Sequence, residues 1–391
     1  MISLVIEGEQ QYIQCVPIDG DPSCFPSQKR AAISEMNRRC VCCASVLAIL
    51  FSPASAQDRL YYHNLPYGSQ ANYNPISVIL NGSYDIIQME NRSREIFNLP
   101  YAAGTKNVFR NLASPFSMIA EYGWGDFIRR EVLPLSFNVE SGQWWPNYEL
   151  HLIGGGMTSV MMREWYEDHG FSSPMVWSIG TMAAYHMLNE VVENGTYSGN
   201  NVDPIADIYL FDIGGILLFS LEPVSRFFSE ELHLTDWSLQ PSIALNNGTL
   251  QNNGQYFALK WKFPFSDSYS LFHYFGLRGL FGVSKRFESG ESVSVGAGVR
   301  AVSLKLLDPE FFLLTTVLKW EVGFFYDRDN SLLASLFIGG AYDNPVTLNI
   351  YPGVLKFNSF SPGVWALYSR EYGFSAGVTT VWAPGVAWTA K

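Results

Sequence analysis

From Asp236 onward the chain falls into short runs in which polar and apolar side chains alternate, and that period of two constrains the fold more than any other feature. Turn chemistry separates the runs at Asn246-Asn247-Gly248, Asn252-Asn253-Gly254, Glu288-Ser289-Gly290-Glu291 and Asp327-Arg328-Asp329-Asn330. Phe275, Leu277, Phe281, Val283 and Phe287 alternate with Gly276, Arg278, Gly282, Ser284 and Arg286. Trp320, Val322, Phe324 and Tyr326 alternate with Lys319, Glu321 and Gly323. Tyr372, Phe374, Ala376, Val378 and Trp382 alternate with Gly373, Ser375, Gly377 and Thr379. Between Ser292 and Leu306 the apolar set changes parity, which predicts a bulge near Ala301.

A soluble β-sandwich alternates as well. Two features separate this chain from one. Aromatic residues gather towards run ends (Trp261, Trp320, Tyr326, Tyr342, Tyr351, Trp365, Tyr368, Tyr372, Trp382), as an interfacial girdle requires, and the polar faces keep charge inside the runs (Arg278, Arg300, Lys319, Glu321), as a wet lumen allows. The expected fold is mainly β: an antiparallel transmembrane β-barrel of about 8–12 strands with a three-segment helical insert packed in its lumen. Residues 229–391 supply the C-terminal strands. Residues 57–147 supply N-terminal strand(s), with Ile76–Ile86 as the first, followed by a mixed segment with a short helix from Ser114-Pro115 and a strand or helix over Phe127–Phe137. The run Ser375–Trp382 resembles the C-terminal assembly signal of bacterial outer-membrane barrels, which implies the barrel-assembly machinery and outer-membrane lipids as partners. It departs from that signal at Thr380 and in the nine residues after Trp382.

The first 56 residues read as address rather than fold. Met36-Asn37-Arg38-Arg39, an apolar run from Cys40 to Phe51 and the small-residue pattern Ala54-Ser55-Ala56 make 36–56 a secretory signal with cleavage after Ala56, and residues 1–35 an over-called leader. All five cysteines precede that cut, so the remainder carries no thiol for a disulfide, a nucleophile or a zinc ligand. A net charge of −11 without a basic cluster has the wrong sign for a nucleic-acid partner.

Residues 148–228 break the period of two. Three apolar segments, Glu149–Asp168, Pro174–Asn194 and one from Asp203-Pro204 to about Phe219, each carry polar residues on one side. His186, Asn189, Glu190 and Glu193 share a helical face, and Asp203 with Asp207 stands at a helix start. His151 lies one turn before Gly154-Gly155-Gly156, where a bare backbone permits close approach. His186, Asn189, Glu190, Asp207 and Asp212 interrupt the apolar runs, so the segments make poor lipid-facing helices.

The order of His151, the glycine run, Asn189-Glu190, Asp203 to Asp207 and Gly214-Gly215 resembles an uncharacterised group of outer-membrane barrels with an intrabarrel helical domain and, more distantly, VanZ-like membrane domains. That resemblance implies architecture and no particular reaction. The candidate catalytic residues are His151, His186, Glu190, Asp203 and Asp207, able to serve as acid/base pairs or hard-metal ligands in a low-dielectric site. The same residues could instead satisfy one another as a polar plug. No cofactor is assigned: Gly-x-Ser-x-Gly, HExxH, P-loop and dinucleotide patterns are missing from residues 57–391. The functions in view are a barrel with a structural or substrate-binding helical domain, an envelope lipid-acting enzyme, and a diffusion channel.

Overall fold

The computed structural model describes residues 59–390 apart from 135, 137, 139–144, 359 and 371–372, together with the backbone of β1 (Ile2–Glu7) and β2 (Gln10–Cys15). These two strands pair antiparallel within a unit spanning Met1–Ala56. The expected export signal, 36–56, lies outside the described residues.

Gln57–Lys391 form the second unit. Its helices begin earlier than the sequence suggested, with α1 (Gly68–Asn72), α2 (Pro75–Gly82), α3 (Tyr101–Ala113), α4 (Pro115–Tyr122) and α5 (Trp124–Phe127). The strand expected over Ile76–Ile86 is α2 followed by a 3-10 turn at Asp85–Gln88. A capping box decides it: the Asn74 side chain accepts the amides of Ile76 and Ser77, and the Ser77 hydroxyl accepts the amide of Asn74 in return. Pro75 sets the first turn. The helix expected from Ser114-Pro115 is α4, and Phe127–Phe137 carries a π-helical turn at Ile128–Val132 in place of a strand.

The three segments of the central block fall where they were placed. A π-helical stretch, Trp145–Gly155, runs into α6 (Gly156–Asp168). Next comes α7 (Pro174–Asn194), then α8 (Asp203–Ala206), a second π-helical stretch at Asp207–Asp212, and α9 (Ile213–Phe219). α10 (Glu222–Arg226) and a π-helical turn at Phe227–Glu231 close the layer. Among the described residues no single helix is long and apolar enough to cross a membrane.

Among the described residues the sheet has 13 strands, more than the 8–12 expected, in the order β3-β6-β7-β8-β9-β10-β11-β12-β13-β14-β15-β4-β5. β3 (Thr235–Asp236), β4 (Ser242–Ala244) and β5 (Leu250–Gln251) are short. The others are β6 (Phe257–Lys262), β7 (Tyr269–Phe275), β8 (Arg278–Arg286), β9 (Glu291–Asp308), β10 (Leu313–Arg328), β11 (Ser331–Gly339), β12 (Val346–Ile350), β13 (Gly363–Ser369), β14 (Gly373–Thr379) and β15 (Gly385–Ala390). β6 to β15 form one antiparallel meander, but β15 pairs with β4 in parallel, so the sheet is mixed rather than antiparallel throughout. The expected last strand, Ser375–Trp382, covers most of β14 and the three residues beyond it. β15 follows it, with Val386 and Trp388 exposed on one side and Ala387 buried on the other. The parity change in β9 is a bulge: Val317 and Leu318 pair with Ser303 and Ala301, leaving Val302 unpaired.

Five residues separate β3 from β4, and these two strands hydrogen-bond to opposite ends of the meander, β3 to β6 and β4 to β15. No described residue before Thr235 contributes a strand to this sheet, so the partner expected from the segment before Tyr148 is replaced by this local strap. The strap touches strands far apart in the order. Trp237 packs against Phe272, Tyr274 and Phe325, Gln240 reaches Ile350 and Thr379, and the Trp365 indole donates to the Ser242 hydroxyl at 2.9 Å.

The two sides of the sheet have inverted polarity. Across neighbouring strands Val283, Val295 and Phe324 stand in register, all between 41% and 45% exposed. One residue along, Ser284 and Ser294 are buried and hydrogen-bond at 2.8 Å. Buried charge concentrates on that second side: Arg278 binds Glu321 at 2.6 Å, and Lys260 pairs with Asp327. Of the residues expected in a girdle, Trp261, Trp320, Tyr326, Tyr342, Tyr368 and Trp382 are exposed, Tyr351 and Trp365 are buried with their polar tips bonded to the strap, and Tyr372 lies outside the described residues.

The polar side is filled by the sheet's own aromatics, the strap and residues 68–88, as when Tyr256 donates to Gln88 at 3.0 Å. The helical block therefore does not pack there as expected. Trp145–Gly155 lies on the side that carries the exposed apolar residues: Glu149 meets His273, a Cβ at Gly154 would strike the Phe257 ring, and one at Gly279 would strike Trp145. His273, Phe257 and Gly279 share that side by register with exposed Phe281, Leu271 and Trp261. The physical reason is volume, because the polar side of the sheet, already packed with Trp237, Tyr256, Tyr274 and Phe325, has no room for three helices.

Glu164 belongs to the fold rather than to a solvated helix end. Its buried carboxylate accepts the amides of Leu60, Tyr61 and Tyr62 at 2.8, 2.9 and 2.8 Å and so ties the segment before α1 onto α6. Glu164→Gln turns one acceptor into a donor facing these amides. It is expected to lower stability by about 1–3 kcal/mol, checked by urea unfolding of the refolded protein.

Candidate functional site

Helix crossings set the site. Gly156 and Gly215 let α6 and α9 approach until a Cβ at Gly215 would stand 2.5 Å from the Leu152 carbonyl oxygen and 3.1 Å from that of His151. A Cβ at Gly155 would stand 3.3 Å from the His186 ring, so the bare backbone foreseen at this turn is where α7 inserts its imidazole. His186 stacks on Tyr185, with centroids 4.1 Å apart, and lies 5.9 Å from the His151 ring.

All five candidate residues come together, in two adjoining groups. His151, His186 and Asp212 form one, and Glu190, Asp203 and Asp207 the other; within each, one possible ligand atom per residue lies within 4.8 Å of the rest. His151 joins them, with Nδ1 2.9 Å from Asp212 Oδ1 and Nε2 3.4 Å from Asp207 Oδ2. The pairing expected of His186 with Glu190 is not made. His186 turns to Asp212 (Nδ1 to Oδ1, 3.0 Å), while Glu190 joins the Asp203 and Asp207 pair.

Asp212 was missed as a site residue because of helix geometry. In an α-helix residues five apart diverge, but Asp207–Asp212 is π-helical, and the wider turn brings both carboxylates onto the His151 face. Asp85, Glu131 and Glu193 were missed as well. They stand near the acidic group, the first two on elements whose sequence gave no sign of converging there.

Burial dominates the electrostatics. It drives Glu190 well above the carboxylate range, helped by Asp207 and Glu193, and pushes Asp207 up to about 7 against the opposing pull of His151. Burial would lower His151, but Asp207 and Asp212 outweigh it and hold the imidazole well above its ordinary value. Asp212 goes the other way: burial alone would raise it, and His186 with His151 brings it down to about 2. One ionised carboxylate between two imidazoles therefore stands beside an acidic group that retains protons.

Several polar atoms are buried without an aligned hydrogen bond, among them both ring nitrogens of His186, Asp207 Oδ1, Asp212 Oδ2 and Glu131 Oε2. A cavity of about 120 Å³ adjoins the cluster. Its lining is mixed: the helical elements give it His151, Asp203, Asp207, Glu131, Glu193 and Asp85 along with Ile86, Met89 and Leu150, and the segment around β8 to β10 gives it Leu277, Leu304 and Phe311 to Thr316; His186, Glu190 and Asp212 do not line it. Such an arrangement can move a proton at His151 or Asp207 and can bind a cation. Comparison with family models, with curated proteins and with solved structures finds no match to the chain.

Proposed function

We propose that the chain is an outer-membrane β-barrel protein whose helical layer carries a hydrolase or transferase site for an envelope lipid. For the barrel, the support is the inverted polarity of the sheet, which suits hydrocarbon outside and a packed polar interior, and the strap that hydrogen-bonds to both ends of the meander. The helical layer leaves Tyr209, Leu210, Ile213, Leu217 and Leu221 exposed, an apolar stripe without charge. A diffusion channel fits poorly, because Trp237, Tyr256, Phe272, Tyr274, Phe325 and Phe337 pack together within the sheet.

One observation carries the enzymatic reading: a single cavity is lined both by His151 with several buried carboxylates and by leucine and phenylalanine side chains. A lipid ester or phosphoester has that division, with a polar reacting group beside an acyl chain. His151 and Asp207 line the cavity and are the groups placed to transfer protons to a bound headgroup. Glu190 supports them from behind.

The test is hydrolysis or acyl transfer by the refolded full chain, presented with outer-membrane lipids in mixed micelles. Burial holds Glu190 well above the ordinary carboxylate range, and Glu190→Gln keeps its volume while removing the proton it can exchange. The variant is expected to keep heat-modifiable migration and to lose activity by about 10²-fold or more. A variant that unfolds assigns Glu190 a structural role, and a wild-type chain inert towards every lipid class removes the enzymatic reading.

A further inference from the structure

We infer that His151, His186 and Asp212 hold one divalent first-row transition-metal ion, behind the cavity wall that the proposed function uses. Three observations beyond the grouping itself carry this.

The first concerns His186. The residue is 4% exposed, and neither ring nitrogen makes an aligned hydrogen bond. Nδ1 lies 3.0 Å from Asp212 Oδ1, close enough for a hydrogen bond, yet its N–H direction misses that oxygen. A neutral imidazole must donate from one nitrogen, so a buried ring without an acceptor is costly. The cost disappears if one nitrogen donates its lone pair to a cation.

The second is spacing. Ligand bonds of about 2.0–2.2 Å place neighbouring donor atoms of a metal polyhedron roughly 3.0–3.5 Å apart. The nitrogen–oxygen separations here, 2.9 Å for His151 and 3.0 Å for His186, approach that edge length, and both converge on the same Asp212 oxygen.

The third is the group behind His151. A metal-bound histidine donates its other ring N–H to a carboxylate, which fixes its tautomer. With Nδ1 turned to the Asp212 side, His151 Nε2 stands 3.4 Å from Asp207 Oδ2. Two imidazoles and one carboxylate favour Zn²⁺ and its neighbours over Ca²⁺ or Mg²⁺, which prefer all-oxygen sets. Bound there, the ion would join three elements, Trp145–Gly155, α7 and Asp207–Asp212, and would orient Asp207 at the cavity through His151. His186 and Asp212 are then positioning residues.

The inference deepens the proposed function by giving the same site a metal, and its test reads metal uptake separately from lipid turnover. Full-length protein, refolded in detergent and freed of metal, is titrated with Zn²⁺ and separately with Co²⁺. A single ion per chain is expected, with Co²⁺ absorption bands of a mixed nitrogen and oxygen set. The unfolding midpoint should rise by about 5 °C at a hundredfold excess of free ion over Kd. His186→Gln and Asp212→Asn should lose the bands and the shift, whereas Glu164→Gln, outside the site, should keep both. Wild-type protein that folds and takes up no stoichiometric ion overturns the inference. So does an ion retained in both ligand variants. Stoichiometric metal without lipid turnover leaves the inference standing and counts against the enzymatic reading; turnover that survives chelation does the reverse.

Discussion

Asp212→Asn is expected to reduce turnover by about 10²–10⁴-fold, the range set by loss of an acid/base arrangement, while the sheet keeps its heat-modifiable migration. Asp212 Oδ1 lies 2.9 Å from His151 Nδ1 and 3.0 Å from His186 Nδ1, so this one carboxylate stands between two imidazoles contributed by different helices and hydrogen-bonds the first. An asparagine keeps the volume but removes the charge and can present its amide donor to a ring nitrogen. His151 then loses one of the two carboxylates that hold its pKa up, and its orientation towards Asp207 is no longer fixed. The measurement is turnover against pH for both proteins, with urea unfolding of each. A proton-transfer role at His151 moves the pH profile along with the rate. Unfolding without a surviving folded fraction would instead make Asp212 a structural residue, and unchanged turnover would take the two histidines out of the chemistry.

The sequence carried the sheet's alternation, the bulge at Ala301 and the bounds of α7, because each depends on local periodicity. It also brought forward five residues that the structure places together, since acids and histidines in apolar helices need partners wherever they are buried. Three readings failed for reasons a linear pattern does not contain. Ile76–Ile86 alternates over too few residues to outweigh the Asn74 and Ser77 capping box. Asp212 falls on the His151 face through a π-helical turn that hydrophobic period does not encode. The side of the sheet that receives Trp145–Gly155 was fixed by competition for space, in which Trp237 and the strap, short and unremarkable as sequence, fill the polar side first. The burial of Glu164 is not legible in local sequence either, because its three amide partners lie about a hundred residues away.

Val295→Arg is the substitution whose sign and size separate a sheet in lipid from one in water. Val295 is 44% exposed and is flanked in register by Val283 and Phe324, which are exposed to a similar degree, so it stands within an apolar band three strands wide. In water, an arginine at such a position would lay its stem across its neighbours, keep its guanidinium solvated and change stability by no more than about 0.5 kcal/mol either way. In hydrocarbon the guanidinium has no water. An arginine at the midplane of a transmembrane barrel costs about 2–4 kcal/mol, falling towards zero near the interfaces. The expected result is a loss of about 2–4 kcal/mol in urea unfolding from lipid vesicles, with Val295→Leu close to neutral and the same arginine less costly at Trp261 near a strand end, where a guanidinium can reach the headgroups. A neutral effect at both positions would mean that the exposed apolar side does not face lipid, and the membrane reading of this sheet would fall with it.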